Sequence, residues 1–176
     1  LATVALDGGD PQSVRDAIAD VVKRFGRIDI LVNNAGSAGP KQPLEQLPID
    51  DAELAALQKS GSTDTETVGA AIRNIFGVAW NVSRAAATAM GEGGSIINVS
   101  TIFSRTPYYA RTAYVVPKAA MNAFSRELSL ELGPRGIRVN LVFPGPIESE
   151  RIRSVFATMD TMRGDDAGTT ANQFFD

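Results

Sequence analysis

Three short apolar runs, rich in β-branched residues, constrain the fold of this chain more than any other feature of its sequence. They span residues 28–32, 96–99 and 139–143, and each run ends in a cluster of small or polar residues. Apolar runs of this length are typical of strands that are covered on both faces of a parallel sheet. Residues 13–25, before the first run, and residues 68–90, between the first two runs, carry apolar side chains at helical spacing. The pattern therefore predicts an α/β domain with a doubly wound, mostly parallel sheet.

The residues after the middle run carry the clearest chemical pattern. Tyr114 precedes Lys118 by four positions, which places both side chains on one face of a helix. A neighbouring ammonium favours the ionised form of a phenol, which can then exchange a proton with a carbonyl oxygen. We therefore expect Tyr114 to act as a general acid, with a hydroxyl from the end of the preceding strand holding the substrate oxygen. Pro117, in this same run, predicts a helix that begins near Tyr114.

The sequence contains no histidine and no cysteine, which limits the chemistry that is available. A Ser-His-Asp triad, a histidine base, a thiolate nucleophile and most zinc sites are excluded, so we expect no metal centre. The net charge of −3 argues against a nucleic-acid partner. No apolar run is long enough to span a membrane, and we expect a cytoplasmic protein without a membrane partner.

Five motifs together give the chain a specific resemblance to a known family. They are NNAG at residues 33–36, Asn74 in a predicted helix, the hydroxyls after the middle run, YVVPK at 114–118 and FPGPI at 143–147. In this combination the sequence resembles the short-chain dehydrogenase/reductase family, which implies a Rossmann-type domain and nicotinamide-dependent carbonyl reduction. The resemblance aligns the family's catalytic serine with Thr101, and leaves Ser100 and Ser104 as alternatives. It also implies that Asn74 supports Lys118 through a water molecule.

The same resemblance implies which residues contact the cofactor. They are Asp7, Asn33, Asn34, Ala35, Gly36, Tyr114, Lys118, Pro144, Gly145, Ile147 and Ser149. Asp7 would approach the adenine ring, whereas Ile147 and Ser149 would contact the nicotinamide end. NADP(H) is preferred by resemblance, with NAD(H) as the alternative. Residues 1–6 are expected to form a strand before Asp7, and Asp10 to cap the following helix.

A narrower resemblance, carried by residues 97–128 and 136–164, is to the bacterial bifunctional malonyl-CoA reductases. The stretch is similar to the reductase unit in the C-terminal part of those chains. This implies NADPH-dependent reduction of malonyl-CoA to malonate semialdehyde with release of CoA, in an enzyme that leads to 3-hydroxypropionate. The candidates for binding a substrate carboxylate or CoA phosphates are Arg105, Arg111, Arg151 and Arg153.

Two other readings remain open. One is another short-chain reductase that acts on a ketone or an aldehyde, such as malonate semialdehyde or a 3-oxoacyl group. The other is a non-catalytic scaffold module within a reductase of several units.

We interpret residues 1–176 as a single partial domain that is incomplete at both ends, because the family's first strand, its glycine-rich loop and its last strand have no counterpart here. Residues 37–66 form a longer connection than expected and are interpreted as an insertion, with a helix over 52–59. Residues 148–176 are interpreted as a helical lid over the substrate. We expect other reductase units of a larger chain as partners, together with a homo-oligomer.

Overall fold

The protein, described over residues 2–62 and 66–175 by a computed structural model, is built on a three-stranded parallel sheet. The strands are β1 (Ile28–Asn33), β2 (Met90–Val99) and β3 (Arg138–Val142). β2 lies in the middle and pairs in parallel with both neighbours. The predicted parallel sheet of a Rossmann-type domain is confirmed.

Helices precede, connect and follow these strands. They are α1 (Pro11–Phe25), α2 (Asp51–Lys59), α3 (Val68–Ile72), α4 (Val78–Ala89), α5 (Thr112–Leu132), α6 (Glu150–Arg163) and α7 (Thr169–Phe175). A π-helical turn, Arg73–Gly77, joins α3 to α4, so that one long helix runs as the sequence predicts. α2 lies within the predicted insertion, of which residues 63–65 fall outside the described residues.

The first helix shows how local sequence fixes an element. The Asp10 carboxylate accepts hydrogen bonds from the backbone N–H groups of Gln12 and Ser13, at 2.9 and 3.2 Å, and Pro11 occupies the first helical position. A side-chain acceptor at this position satisfies N–H groups that have no partner within the helix. Gly26 ends the helix with a positive φ of 83°. The predicted cap is confirmed.

The core lies between the sheet and one layer of helices. Ile96, at the centre of β2, is fully buried and packs in a cluster with residues from α4 and α5, including Ala86 and Leu128. Burial of one such side chain contributes about 1.5–3 kcal/mol. On the other face of the sheet, Ile30 and Val32 remain more than half exposed. Within the described residues the helices therefore cover one face, whereas the sequence predicts cover on both.

Three local predictions are wrong. Residues 2–6 pair with no strand among the described residues, and a strand requires a hydrogen-bonded neighbour. β2 begins at Met90 rather than near residue 96, because Met90 pairs with Ile28 ahead of a register shift. α5 begins at Thr112 rather than near Tyr114, because the Arg111 carbonyl already accepts the N–H of Val115 at 2.8 Å. Pro117 consequently lies inside the helix, beyond its first turn.

Among residues 2–62 and 66–175, no helix combines the length and the apolar character that a membrane span requires.

Candidate active site

The carboxyl ends of all three strands open onto one pocket of about 450 Å³. Ligands of open parallel sheets bind at this edge, since the loops that follow neighbouring strands meet there. Most of the predicted site residues line the pocket: Asn34, Gly36, Ser100, Thr101, Arg111, Tyr114, Lys118, Pro144, Gly145, Ile147, Ser149 and Arg151. The others, which do not line it, are Asp7, Asn33, Ala35, Asn74, Arg105 and Arg153.

Tyr114 and Lys118 lie one turn apart on α5, and the lysine is almost completely buried. The Lys118 ammonium lies 6.0 Å from the centre of the Tyr114 ring and donates a hydrogen bond of 2.6 Å to the Val99 carbonyl. This bond ties the helix to the end of β2. Burial lowers the pKa of Lys118, because the charged form is less well solvated inside the protein. The pair is thus held where a phenol can exchange a proton beside a cation.

The hydroxyl groups of Ser100 and Ser104 are engaged in a local network. Ser100 donates to the Asn122 side-chain oxygen at 2.6 Å, and Ser104 donates to the Thr101 carbonyl at 2.6 Å. Asn122 in turn donates to Ser104 at 2.9 Å. These bonds direct both serine protons into the protein.

The Thr101 side-chain oxygen accepts a bond from the Phe103 N–H at 3.3 Å, and its own O–H has no acceptor among the described residues. Thr101 lines the pocket. The geometry therefore favours Thr101 over Ser100 as the hydroxyl that contacts a substrate oxygen.

Asn33 supports the site from below. Its side-chain amide donates to Ser83 at 2.8 Å and to Asn98 at 2.7 Å, and Asn98 donates to Ser125 at 2.8 Å. All four side chains are buried. The network therefore joins the carboxyl ends of β1 and β2 to the helices α4 and α5. Sequence analysis predicted the Asn33 position as a cofactor contact and missed its partners, which are distant in sequence.

Asn74 lies in the π-helical turn and is exposed. Its amide donates to one oxygen of Glu66 at 3.0 Å, while the other oxygen of Glu66 accepts the Gly39 N–H at 3.1 Å. Glu66 thus connects Asn74 to the loop after β1. The predicted support of Lys118 by Asn74 stays a prediction. Sequence analysis missed Glu66, since a carboxylate in a long connection carries no periodic signal.

Asp7 is exposed, and its carboxylate accepts the Gly9 N–H at 2.8 Å. The Gly8–Gly9 turn that follows is therefore held by a local bond. Contact of Asp7 with an adenine ring stays a prediction, since the residue does not line the pocket.

The four candidate arginines differ in their contacts and in whether they line the pocket. Arg111 is buried, donates to the Ala38 carbonyl at 3.0 Å and lies 4.8 Å from the centre of the Tyr114 ring. Arg105 lies over the Phe143 ring at 4.1 Å, and Arg153 forms an ion pair with Glu148. Arg151, on the first turn of α6, lines the pocket.

Tyr108 also lines the pocket and was missed by sequence analysis. Its ring stacks on Phe103 at 3.9 Å and meets Phe156 of α6 edge-on at 6.3 Å. Burial raises the pKa of the Tyr108 hydroxyl to about 12, so this phenol stays neutral at any working pH. An aromatic contact of this kind connects the α6–α7 segment to the pocket wall.

Comparison with known proteins identifies the class to which this fold and site belong. The family model described as enoyl-(acyl carrier protein) reductase matches residues 1–172. A glucose and ribitol dehydrogenase homologue of Arabidopsis thaliana is 33% identical over 154 residues, 88% of this chain. The NADPH-dependent aldehyde reductase 1 of the same organism is 33% identical over 87% of the chain. The chain belongs to the short-chain dehydrogenase/reductase family.

One solved structure is much more similar. It is the N-domain of a bacterial malonyl-CoA reductase with NADP, which is 82% identical and superposes with a TM-score of 0.95 over 99% of this chain. A short-chain dehydrogenase from Burkholderia cenocepacia in complex with NADP is 33% identical over 84% of the chain, with a TM-score of 0.69. The narrower resemblance is thereby confirmed, but its placement in the C-terminal part of such enzymes is wrong, because the match is to an N-domain.

The chain spans only part of each of these proteins. It covers 47% and 48% of the two Arabidopsis relatives, and 32% of the chain in the N-domain structure.

Proposed function

We propose that this chain forms the catalytic part of an NADPH-dependent carbonyl reductase unit. The observation that carries the proposal is the meeting of Tyr114, Lys118 and the Thr101 hydroxyl in one pocket at the carboxyl edge of the sheet. Thr101 holds the carbonyl oxygen, and the Tyr114 phenol gives that oxygen a proton as the carbonyl is reduced to an alcohol. The Lys118 ammonium stabilises the phenolate that this transfer leaves.

The residues around this group fit the nicotinamide and ribose end of a dinucleotide. Asn34 and Gly36 after β1, together with residues 144–147 after β3, form the pocket walls on either side of Lys118. The ammonium can reach ribose hydroxyls, and small residues permit close approach of the backbone. NADPH supplies the hydride when it is bound. The choice of NADP(H) over NAD(H) is supported by two relatives that were crystallised with NADP.

The substrate follows from the N-domain neighbour, which is part of a malonyl-CoA reductase. Reduction of malonyl-CoA passes through two carbonyls, the thioester and then the aldehyde of malonate semialdehyde. Since the resemblance associates the thioester step with the C-terminal part, we assign the aldehyde step to this unit. The chemistry of the site supports the assignment, because an aldehyde needs one hydride and one proton and no leaving group.

The second candidate is reduction of malonyl-CoA itself to malonate semialdehyde with release of CoA, which the neighbour's name favours. A non-catalytic scaffold is the third reading, and the complete Tyr114–Lys118 pair argues against it. We also propose that this unit belongs to a larger chain with other reductase units, that the protein forms a homo-oligomer, and that it is located in the cytoplasm. Residues 148–176 would act as the substrate lid, which their share of the pocket wall supports.

The test is oxidation of NADPH by the full-length protein with malonate semialdehyde or with malonyl-CoA, while free thiol is followed in parallel. We expect oxidation with the semialdehyde and a loss of about 10²–10⁴ in kcat in Tyr114→Phe, the range for general acid catalysis. Tyr109→Phe is the matched control, because Tyr109 is exposed and does not line the pocket.

Release of thiol with malonyl-CoA that is lost in Tyr114→Phe would transfer the assignment to the thioester. Equal activity of Tyr114→Phe and wild type with both substrates would instead favour the scaffold.

A further inference from the structure

The charge of the pocket is opposite to that of the chain. The sequence has 20 acidic and 17 basic residues. Among the described residues, however, four cations line the pocket, namely Lys41, Arg111, Lys118 and Arg151, and no Asp or Glu lines it. A concave site lined by one sign of charge concentrates ligands of the opposite sign. The pocket is therefore suited to an anionic ligand.

Two of these cations already have partners that hold them in the protein. Lys118 donates to the Val99 carbonyl, and the Arg111 guanidinium donates to the Ala38 carbonyl and covers the Tyr114 ring. Both are buried. Both groups therefore place a fixed positive charge beside Tyr114, where the reacting carbonyl is proposed to lie.

Arg151 differs from them in two respects. It is exposed, and within the part of the chain that the structure describes its side chain makes no hydrogen bond, ion pair or ring contact. It also lies in the first turn of α6, where a cation interacts unfavourably with the helix dipole. Its position is therefore not explained by the stability of its own helix.

Neighbouring residues hold the Arg151 backbone against the pocket. Ile152 and Val155 follow it along α6, line the same pocket and pack with Phe156 in the aromatic cluster around Tyr108. Ser149 caps the helix by accepting the Ile152 N–H at 3.3 Å. A rigid helix start thus presents an uncommitted guanidinium beside the segment 144–147.

We propose that Arg151 determines specificity by binding a carboxylate at the end of the substrate distant from the reacting carbonyl. The substrate class is then a short aldehyde that carries a free carboxylate, and neutral aldehydes of the same length are poor substrates. This inference rests on the proposed function, because it assumes that the same pocket reduces the carbonyl. The guanidinium fork matches the two carboxylate oxygens, which gives orientation as well as affinity.

The experiment compares Arg151→Gln with Arg153→Gln in the full-length protein. Arg153 is a matched control, since it has the same charge, lies two residues further along α6, pairs with Glu148 and does not line the pocket. Each variant is assayed with malonate semialdehyde and with propanal, which lacks the carboxylate.

We expect Arg151→Gln to raise KM for the semialdehyde by roughly tenfold or more, the effect of losing a hydrogen bond to a charged group. The kcat for the semialdehyde, the KM for NADPH and the kcat/KM for propanal should stay within about threefold of wild type, because the contact with the carboxylate is equally strong in the ground state and in the transition state. Arg151→Lys should recover part of the affinity. Arg153→Gln should resemble wild type with both substrates.

The inference is overturned if the two glutamine variants behave alike with the semialdehyde, or if Arg151→Gln loses propanal reduction to the same extent. A rise in KM for NADPH alone would also overturn it, since the arginine would then serve the cofactor phosphates.

If the wild type reduces neither aldehyde, the proposed function fails. The inference about Arg151 can still be tested by calorimetry, which measures the binding of malonate to the NADP-loaded protein. Weaker binding in Arg151→Gln than in Arg153→Gln supports it, and equal binding refutes it.

Discussion

The buried amide network beneath the pocket predicts a measurable loss of stability when one of its hydrogen-bonding side chains is removed. Asn98 is fully buried in β2, where its oxygen accepts from Asn33 at 2.7 Å and its nitrogen donates to Ser125 at 2.8 Å. Asn98→Ala removes both bonds at once. Asn33 keeps its bond to Ser83, and the Ser125 hydroxyl keeps its bond to the Met121 carbonyl. Neither partner is left without any hydrogen bond.

The expected cost follows from this count. A buried group that loses a hydrogen bond costs about 1–3 kcal/mol, and partners that retain a second bond fall at the lower end. Two such losses give about 2–3 kcal/mol, which corresponds to a fall of about 4–12 °C in Tm for a domain of this size. Because the same bonds position Asn33 before the Asn34–Gly36 loop, the affinity for NADPH should fall as well.

The assay is thermal unfolding followed by circular dichroism, together with NADPH titration. Asn140→Ala is the control, since Asn140 is exposed on β3. Surface substitutions of this kind stay within about 0.5 kcal/mol. A Tm for Asn98→Ala indistinguishable from that of Asn140→Ala would refute the network as a source of stability. Additive costs in the Asn33→Ala/Asn98→Ala double variant would show that the two amides act independently.

Two further predictions concern the pocket itself. Thr101→Val keeps the shape of the side chain and removes the hydroxyl, so kcat should fall roughly a hundredfold, the effect of losing one donor to a developing oxyanion. Ser100→Ala should lower Tm and leave kcat almost unchanged, because it leaves the Asn122 oxygen without its donor. A large fall in kcat with an unchanged Tm would instead make Ser100 the substrate contact. Burial lowers the pKa of Lys118 in the folded protein. At pH values between this lowered pKa and the ordinary lysine pKa of about 10.4, the unfolded chain keeps the proton that the folded protein has lost. Stability should therefore rise as pH increases through this window, and Lys118→Met should flatten the rise in thermal unfolding curves; an equal slope in both proteins would contradict the assignment.

The parts of the fold that the sequence predicts are those with strong local signals. The apolar runs 28–32 and 96–99 lie within strands, the run 139–143 does so up to residue 142, and the Asp10 cap starts α1 as expected. Each of these signals depends on neighbours within a few residues of the chain, which a single sequence displays directly.

The errors come from contacts between distant segments. The first half of β2 is glycine-rich and has no strand signal, and it becomes a strand by pairing Met90 with Ile28. The helix α5 starts two residues earlier than Pro117 suggests, because the Arg111 carbonyl already accepts the N–H of Val115. The same reason explains the site residues that were missed: Glu66 acts by joining Asn74 to the Gly39 backbone across a long connection.

The two tasks of the site depend on different parts of the molecule. The proposed proton transfer depends on Tyr114 and Lys118 of α5, and the hydrogen bond from Lys118 to the Val99 carbonyl holds that helix against β2. The proposed binding of a carboxylate by Arg151 depends instead on α6, which packs through Phe156 against the Tyr108 ring. The Tyr108 ring also stacks on Phe103, whose N–H donates to the Thr101 side chain. A substitution of the exposed Arg151 should therefore change which aldehyde is bound while leaving the proton transfer intact, whereas a substitution of Phe156 should disturb both.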